Sequence, residues 1–204
     1  RYAEAIPVLK QAIDSSPEPK DNWLQLLMAS YAEAGQAGEA TKLAESIAAK
    51  SSDDKQAQLN LANVYLQADQ YDKAAVVMEK LRSAGQLTEE KDYRVLYSTY
   101  ANLDGKEKEV IAVINDGLQK NILKPDQQTY LALAQSYYYS DQIAPAIAAW
   151  QKAAPLSKDG ETYLNLAKVF WQEDRIPEAK QAAKAALDKG VKKPEDARKI
   201  IALP

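Results

Sequence analysis

Large apolar residues recur along the chain at the spacing of one helical face, and the faces come in pairs. An aromatic stands at Tyr31, Tyr65, Tyr100, Tyr137 and Phe170, so the successive gaps, by subtraction, are 34, 35, 37 and 33 residues. Just upstream of each stand Leu27-Met28, Leu61-Ala62, Leu96-Tyr97, Leu133-Ala134 and Leu166-Ala167, which puts a large and usually a small residue on the aromatic's helical face. A second marker keeps the same register: nine residues after the aromatics at 31, 65, 137 and 170 come Ala40, Ala74, Ala146 and Ala179. Turn residues lie between the markers, as in Ala34-Gly35-Gln36 and Ala68-Asp69-Gln70, and a second amphipathic run such as Tyr71 to Met78 follows. Each period therefore predicts two helices.

The pattern predicts a lone second helix at 1–15, hairpins at about 20–52, 53–87, 88–123, 124–156 and 157–190, and the start of a further helix at 194–204, all in one array over residues 1–204. Arg1-Tyr2-Ala3-Glu4-Ala5-Ile6 reads as the interior of a helix, which implies that sequence carrying a signal or anchor could precede it. Gly85, Asn121 and Gly190 close repeats at positions suited to a left-handed helix cap. The hairpin at 88–123 departs from the others: Glu109 stands where Ala is expected and Asp116-Gly117 falls late in the second helix, which predicts shifted packing there.

Tyr163-Leu164-Asn165-Leu166-Ala167-Lys168-Val169-Phe170 and Tyr130-Leu131-Ala132-Leu133-Ala134-Gln135-Ser136-Tyr137 resemble the tetratricopeptide repeat (TPR) pattern of aromatic-x2-Leu-Ala/Gly-x2-Tyr followed by Ala. The resemblance covers nearly the whole chain. It implies an all-α, right-handed superhelical solenoid of TPR helix-turn-helix repeats, in which the small Ala lets paired helices lie close and the Tyr or Phe fills the wedge between hairpins. It also implies a non-catalytic scaffold that holds another protein.

Composition narrows the alternatives. Of 204 residues, 46% are hydrophobic and 27% charged, and the net charge of −3 gives no global field favouring nucleic acid or an anionic membrane. The absence of Cys and His removes Cys and His nucleophiles, imidazole bases and the usual zinc and haem ligands. Paired acids, Asp53-Asp54, Glu89-Glu90 and Glu195-Asp196, fall at predicted turns or helix starts, where a carboxylate favours the helix dipole. The sequence thus predicts no catalytic, cofactor or metal site. No window approaches the roughly 18 to 20 apolar residues of a membrane span. From Arg175 to Pro204 there are eight Lys/Arg against four Asp/Glu, which reads as a charged outer face on a terminal helix pair.

The first helices of TPR hairpins line the inner wall of the superhelix, and the resemblance places Asn22, Gln25, Glu33, Asn63, Gln67, Arg94, Asn102, Gln135, Tyr138, Tyr139, Lys168, Trp171 and Gln172 near that groove. Tyr138, Tyr139 and Trp171 follow Tyr137 and Phe170 directly, and one helical face cannot bury all five. An amide-rich, aromatic wall suits an extended peptide or a partner helix, since amides satisfy backbone groups and aromatics supply anchoring area. Lys91, Arg94 and Lys168 are the cations of the wall and are divided between the hairpins at 88–123 and 157–190, which argues against the clamp that chaperone-tail-binding TPR proteins close on a terminal carboxylate.

The stretches Asp21 to Leu26, Leu81 to Thr88, Ser157 to Ala167 and Ala185 to Val191 resemble bacterial TPR proteins described as components of TonB energy-transduction systems. Membership implies a periplasmic, Gram-negative protein that supports transport across the outer membrane by contacting TonB-system proteins. The alternatives are an envelope assembly or secretion scaffold and, from another class, a helical accessory domain or enzyme acting on cell-wall polysaccharide.

Overall fold

Every predicted apolar stripe becomes one face of a helix. In the computed structural model, which describes residues 1–17 and 19–204, the described residues form twelve helices and no strand. The side chain of Asp21, quoted in the TonB-type resemblance, lies outside what is described.

The chain packs as two units, residues 1–88 and 89–204. In the first, α1 (Tyr2–Asp14), α2 (Asp21–Glu33), α3 (Ala37–Lys50), α4 (Lys55–Gln67) and α5 (Tyr71–Ser83) each pack on the next. The second holds α6 (Glu90–Ala101), α7 (Glu107–Gln119), α8 (Gln127–Tyr139), α9 (Ile143–Leu156), α10 (Glu161–Gln172), α11 (Ile176–Lys189) and α12 (Pro194–Ile201). These also pack in sequence, and α10 additionally touches α12. Among the described residues, no helix is long and apolar enough to cross a membrane.

The two marker sets meet inside each hairpin. Ala62, Ala134 and Ala167 of the first helices and Ala40, Ala74, Ala146 and Ala179 of the second are all buried, so helix backbones approach where each pair crosses. The aromatics Tyr31, Tyr65, Tyr100 and Phe170 are buried beside them, and Tyr137 is half-buried. Buried tyrosines also use their hydroxyls across helices. Tyr65 donates to Glu45 Oε1 on α3 at 2.7 Å, and burial, then this bond, pushes the hydroxyl up to about 12.

Turns inside the hairpins share one backbone solution. Gly35, Asp69, Gly105, Asp141 and Asp174 have positive φ. Three residues beyond each helix end, the N–H groups of Gln36, Gln70, Gln142 and Arg175 donate at 2.8 Å to the carbonyl of the marker aromatic, Tyr31, Tyr65, Tyr137 and Phe170 respectively. This wide helix-closing bond consumes a carbonyl that the last turn would leave open. The α6–α7 turn has one residue more, since Gly105 lies five places after Tyr100 whereas Gly35 lies four after Tyr31. The insertion explains the anomaly at Glu109: buried Val110, one position later, fills the alanine site and Glu109 stays half-exposed, paired with Lys106 at 2.8 Å. Gly117 has its own reason, because a Cβ there would stand 2.7 Å from Leu123 and 2.9 Å from the ring of Tyr93, which is buried with its hydroxyl 2.7 Å from Asp116 Oδ2.

Candidate functional site

Because α6, α8, α10 and α12 are the first members of their hairpins, their uncovered faces lie along one side of the second unit as a run of three recesses. Between α6 and α8 is a groove of about 680 Å³, walled by Tyr97, Ala101, Leu103, Leu131 and Ala132 and carrying Asn102, Gln128, Gln135 and Tyr139 at its polar positions. A smaller recess of about 270 Å³ between α8 and α10 shares Gln135 and Tyr139 with the first and adds Tyr138, Lys168 and Gln172. The third, about 530 Å³ between α10 and α12, shares Lys168 and Gln172 with the second and adds Trp171, Asp196, Lys199 and Ile200. Shared residues make the three continuous.

The aromatic positions on this wall divide by role. Tyr138 is half-buried, its ring 5.5 Å from the buried Trp150 of α9, and its hydroxyl donates to Gln172 Oε1 at 3.1 Å, tying α8 to α10. Its contact with Tyr139 is edge-on at 5.8 Å. Tyr139 itself is 75% exposed and Trp171 47% exposed, so two large amphipathic rings project beside recesses with no cover from the chain. Rings in such positions offer anchoring area at low entropic cost. Lys168 donates to Asp196 Oδ2 at 3.1 Å, and this pair draws the Asp196 carboxyl below its ordinary value.

In the first unit, Gln25, Glu33, Asn63 and Gln67 line one recess of about 480 Å³ between α2 and α4, with Met28 and Asn60. Asn22 is exposed on α2 and borders none of the described recesses. Of the residues placed on the wall from sequence, Asn102, Gln135, Tyr138, Tyr139, Lys168, Trp171 and Gln172 are thus brought together in the second unit, and Gln25, Asn63 and Gln67 in the first.

Arg94 is placed differently. Its guanidinium binds Glu90 Oε1 at 2.6 and 3.0 Å, Asp126 Oδ2 at 2.7 Å, Gln128 Oε1 at 3.2 Å and the Tyr97 hydroxyl at 3.1 Å. It is a structural node between α6 and the start of α8 and presents no open cation to a ligand. Asp126 is also the N-cap of α8, accepting from Thr129 N at 2.9 Å. Burial pushes the Asp126 carboxyl up, but the bonds from Thr129 and the charge of Arg94 outweigh it and hold the group below its ordinary value. The Arg94 hydrogen bond lowers Glu90 likewise. Both folded values are depressed, so the node stabilises fully above the unfolded carboxylate range, about pH 4, and that stability is lost as pH falls through the folded values. The urea midpoint difference between wild type and Arg94→Met is accordingly expected to be large at pH 7 and to shrink by pH 3. An equal difference at both pH values would contradict the assignment.

Several wall residues escaped the sequence reading. Leu131 and Ala132 looked like generic stripe positions, and Gln128 precedes the aromatic marker by more than two turns. Asp196, Lys199 and Ile200 lie on α12, which reads in sequence as a charged outer segment, whereas its contact with α10 turns one side of it to the wall. A periodicity signal was present there, since Ala197 and Ile200 are the buried positions of an eight-residue helix, but it spans too few turns to stand out.

A fold of helical hairpins repeated in tandem, with its recesses on the first-helix faces, is the fold of TPR proteins. The tetratricopeptide repeat family model matches residues 31–91. The crystal structure of YrrB, described as a TPR protein with an unusual peptide-binding site, superposes with a TM-score of 0.66 at 14% identity, covering 99% of this chain and 98% of that one. MamA from Desulfovibrio magneticus RS-1 gives 0.64 at 16% identity, over 85% of this chain and 95% of that one. MamA AMB-1 gives 0.64 at 22% identity, over 83% and 92%. At these identities the likeness establishes the fold, an all-α TPR solenoid, and the matched family describes a repeat rather than a catalytic domain. No curated protein matches the sequence.

Proposed function

We propose that this protein is a non-catalytic interaction scaffold that holds an extended peptide segment of a partner protein along the α6–α8–α10–α12 wall. The observation that carries the reading is the uncovered pair Tyr139 and Trp171, standing beside continuous recesses whose polar positions include the amides of Asn102, Gln128, Gln135 and Gln172. Amide side chains donate and accept, so they can meet the unpaired N–H and C=O groups of an extended backbone, while rings anchor side chains between them. The peptide-binding site named for YrrB, on the same fold, supports the reading by analogy.

The test uses peptides selected from a displayed random nonapeptide library against the full chain. Trp171→Ala and Tyr139→Ala are each expected to weaken a selected peptide by more than about 1 kcal/mol, roughly fivefold or more in Kd. Undiminished affinity in both variants, with helicity unchanged by circular dichroism, would rule out the wall as the site.

The finer setting is part of the proposal. Support of TonB-dependent transport in the periplasm rests on the residue resemblance of Asp21 to Leu26, Leu81 to Thr88, Ser157 to Ala167 and Ala185 to Val191. Purified TonB-system proteins passed over the immobilised chain should be retained, and retention should fall with the Trp171→Ala variant. Failure to retain any of them would leave the scaffold reading in place and remove this setting.

A further inference from the structure

The three recesses differ in chemistry from one end of the wall to the other. In the α6–α8 groove the one charged side chain is Glu107, and Leu103, Leu131, Ala101, Ala132 and the rings of Tyr97 and Tyr100 make the walls apolar. Its volume, about 680 Å³, is ample for a leucine or aromatic side chain. The middle recess is small and carries amides and tyrosines. At the α10–α12 end three charges gather: Lys168 and Asp196 satisfy each other at 3.1 Å, and Lys199 has no ion-pair partner among the described residues. That end therefore presents one uncompensated positive charge next to the exposed Trp171 ring.

From this polarity we infer that the segment held by the wall carries a bulky apolar side chain for the α6–α8 groove and, at least about six residues away, an acidic side chain for Lys199. This rests on the reading of the wall as a peptide site. The spacing follows from packing. Packed helices stand about 10 Å apart, and of the first helices only α10 and α12 pack closely on one another, so the outer recesses, two steps apart, are separated by at least roughly 20 Å. An extended chain covers about 3.3 Å per residue, which makes that distance at least about six residues. The carboxylate would pair with Lys199, while its stem lies on Trp171. A cation at the same place would meet Lys168 and Lys199 against one carboxylate, and a basic segment is thereby disfavoured.

The experiment again uses the displayed nonapeptide library and the full chain. Wild type is expected to enrich sequences with a large aliphatic or aromatic residue about six to eight positions from Asp or Glu. In a synthetic peptide of that kind, capped at both ends so that no terminal carboxylate contributes, Glu→Gln should cost about two- to fivefold in Kd, the upper part of the range for an exposed pair. Lys199→Glu should cost about tenfold for the acidic peptide, and a peptide with Lys in place of its Glu should regain the loss on that variant. Ala132→Phe, which fills the groove, should erase the preference for the apolar residue. Enrichment with no acidic preference at that spacing, or indifference to Lys199→Glu, overturns this inference and leaves the wall as a peptide site. Selection of no sequence, or of sequences insensitive to Tyr139→Ala and Trp171→Ala, overturns both.

Discussion

Replacing Gly160 by alanine is expected to destabilise the second unit by about 3 kcal/mol, near the upper end for overpacking a close contact. Gly160 precedes α10 with φ −86, which any residue adopts, so its conformation does not demand glycine. Space does. A Cβ there would stand 2.0 Å from the carbonyl oxygen of Ala186 and 2.8 Å from its carbon, both backbone atoms within α11. A side chain can swing away from such a clash, but a helix backbone cannot without moving the helix. The Gly160 amide also donates to Gly190 O at 2.7 Å, so displacing α10 would break that bond too. Urea unfolding followed by circular dichroism should show a midpoint well below wild type. Ala186→Gly should not restore it, because the obstructing atoms remain. A Gly160→Ala midpoint within about 0.5 kcal/mol of wild type, the scatter of ordinary surface changes, would contradict the close approach.

The second large effect belongs to Lys189, at the same junction. The last turn of α9 contains Pro155 and ends at Leu156, leaving several carbonyls without intrahelical donors. Ser157 Oγ takes Ala153 O at 3.1 Å. Lys189, from the end of α11, donates its ammonium to Ala154 O at 3.2 Å, to Pro155 O at 2.9 Å and to Ser157 O. One cation thus caps a helix in the preceding hairpin, adding a favourable charge at the negative end of its dipole. Lys189→Met keeps most of the stem and removes the donors, and should cost about 2 kcal/mol after discounting for the half-exposed site. Lys189→Arg should recover part of it. If Lys189→Met unfolds at the wild-type urea midpoint, the carbonyls are satisfied by solvent and the cap contributes nothing.

These junction contacts also mark where sequence reasoning stops. The aromatic and alanine markers each follow one helix period, so they were readable from spacing, and the closing positions Gly85, Asn121 and Gly190 were readable from residue type; all three have positive φ, although Gly190, with ψ 123, is not in the left-handed helical region. The irregular hairpin was visible as a misplaced Glu109, although its cause, one extra turn residue, emerges only when Val110 is seen filling the alanine site. Arg94 and Lys189 were not readable. Their partners lie about thirty residues away in the next or previous hairpin, at 126 and 128 for one and 154 to 157 for the other. A pattern that repeats once per hairpin carries no information on which charged position meets its counterpart one hairpin along. Lys189 therefore looked like one of eight basic residues on a charged face, and Arg94 like an open cation of the groove.

The candidate wall was legible to a comparable degree. Tyr138, Tyr139 and Trp171 stand out in sequence because, with Tyr137 and Phe170, they cannot share one face; Tyr139 and Trp171 are the rings left uncovered, whereas Tyr138 is half-buried against Trp150. The contribution of α12 was hidden by its length of eight residues, half of them charged: Glu195, Asp196, Arg198 and Lys199. Because Lys199 lies there, the polarity of the wall was hidden with it.

The measurement that bears most directly on the peptide-holding wall is an NMR titration of the full chain with a library-selected nonapeptide. Backbone amide and indole N–H shifts would be followed to saturation. The account predicts that perturbations concentrate at Trp171 Nε1 and at the amides of Gln135, Tyr139, Lys168, Gln172 and Lys199. Perturbations confined to α7, α9 and α11, with the Trp171 indole unmoved, would contradict it and place the binding surface on the other side of the hairpins.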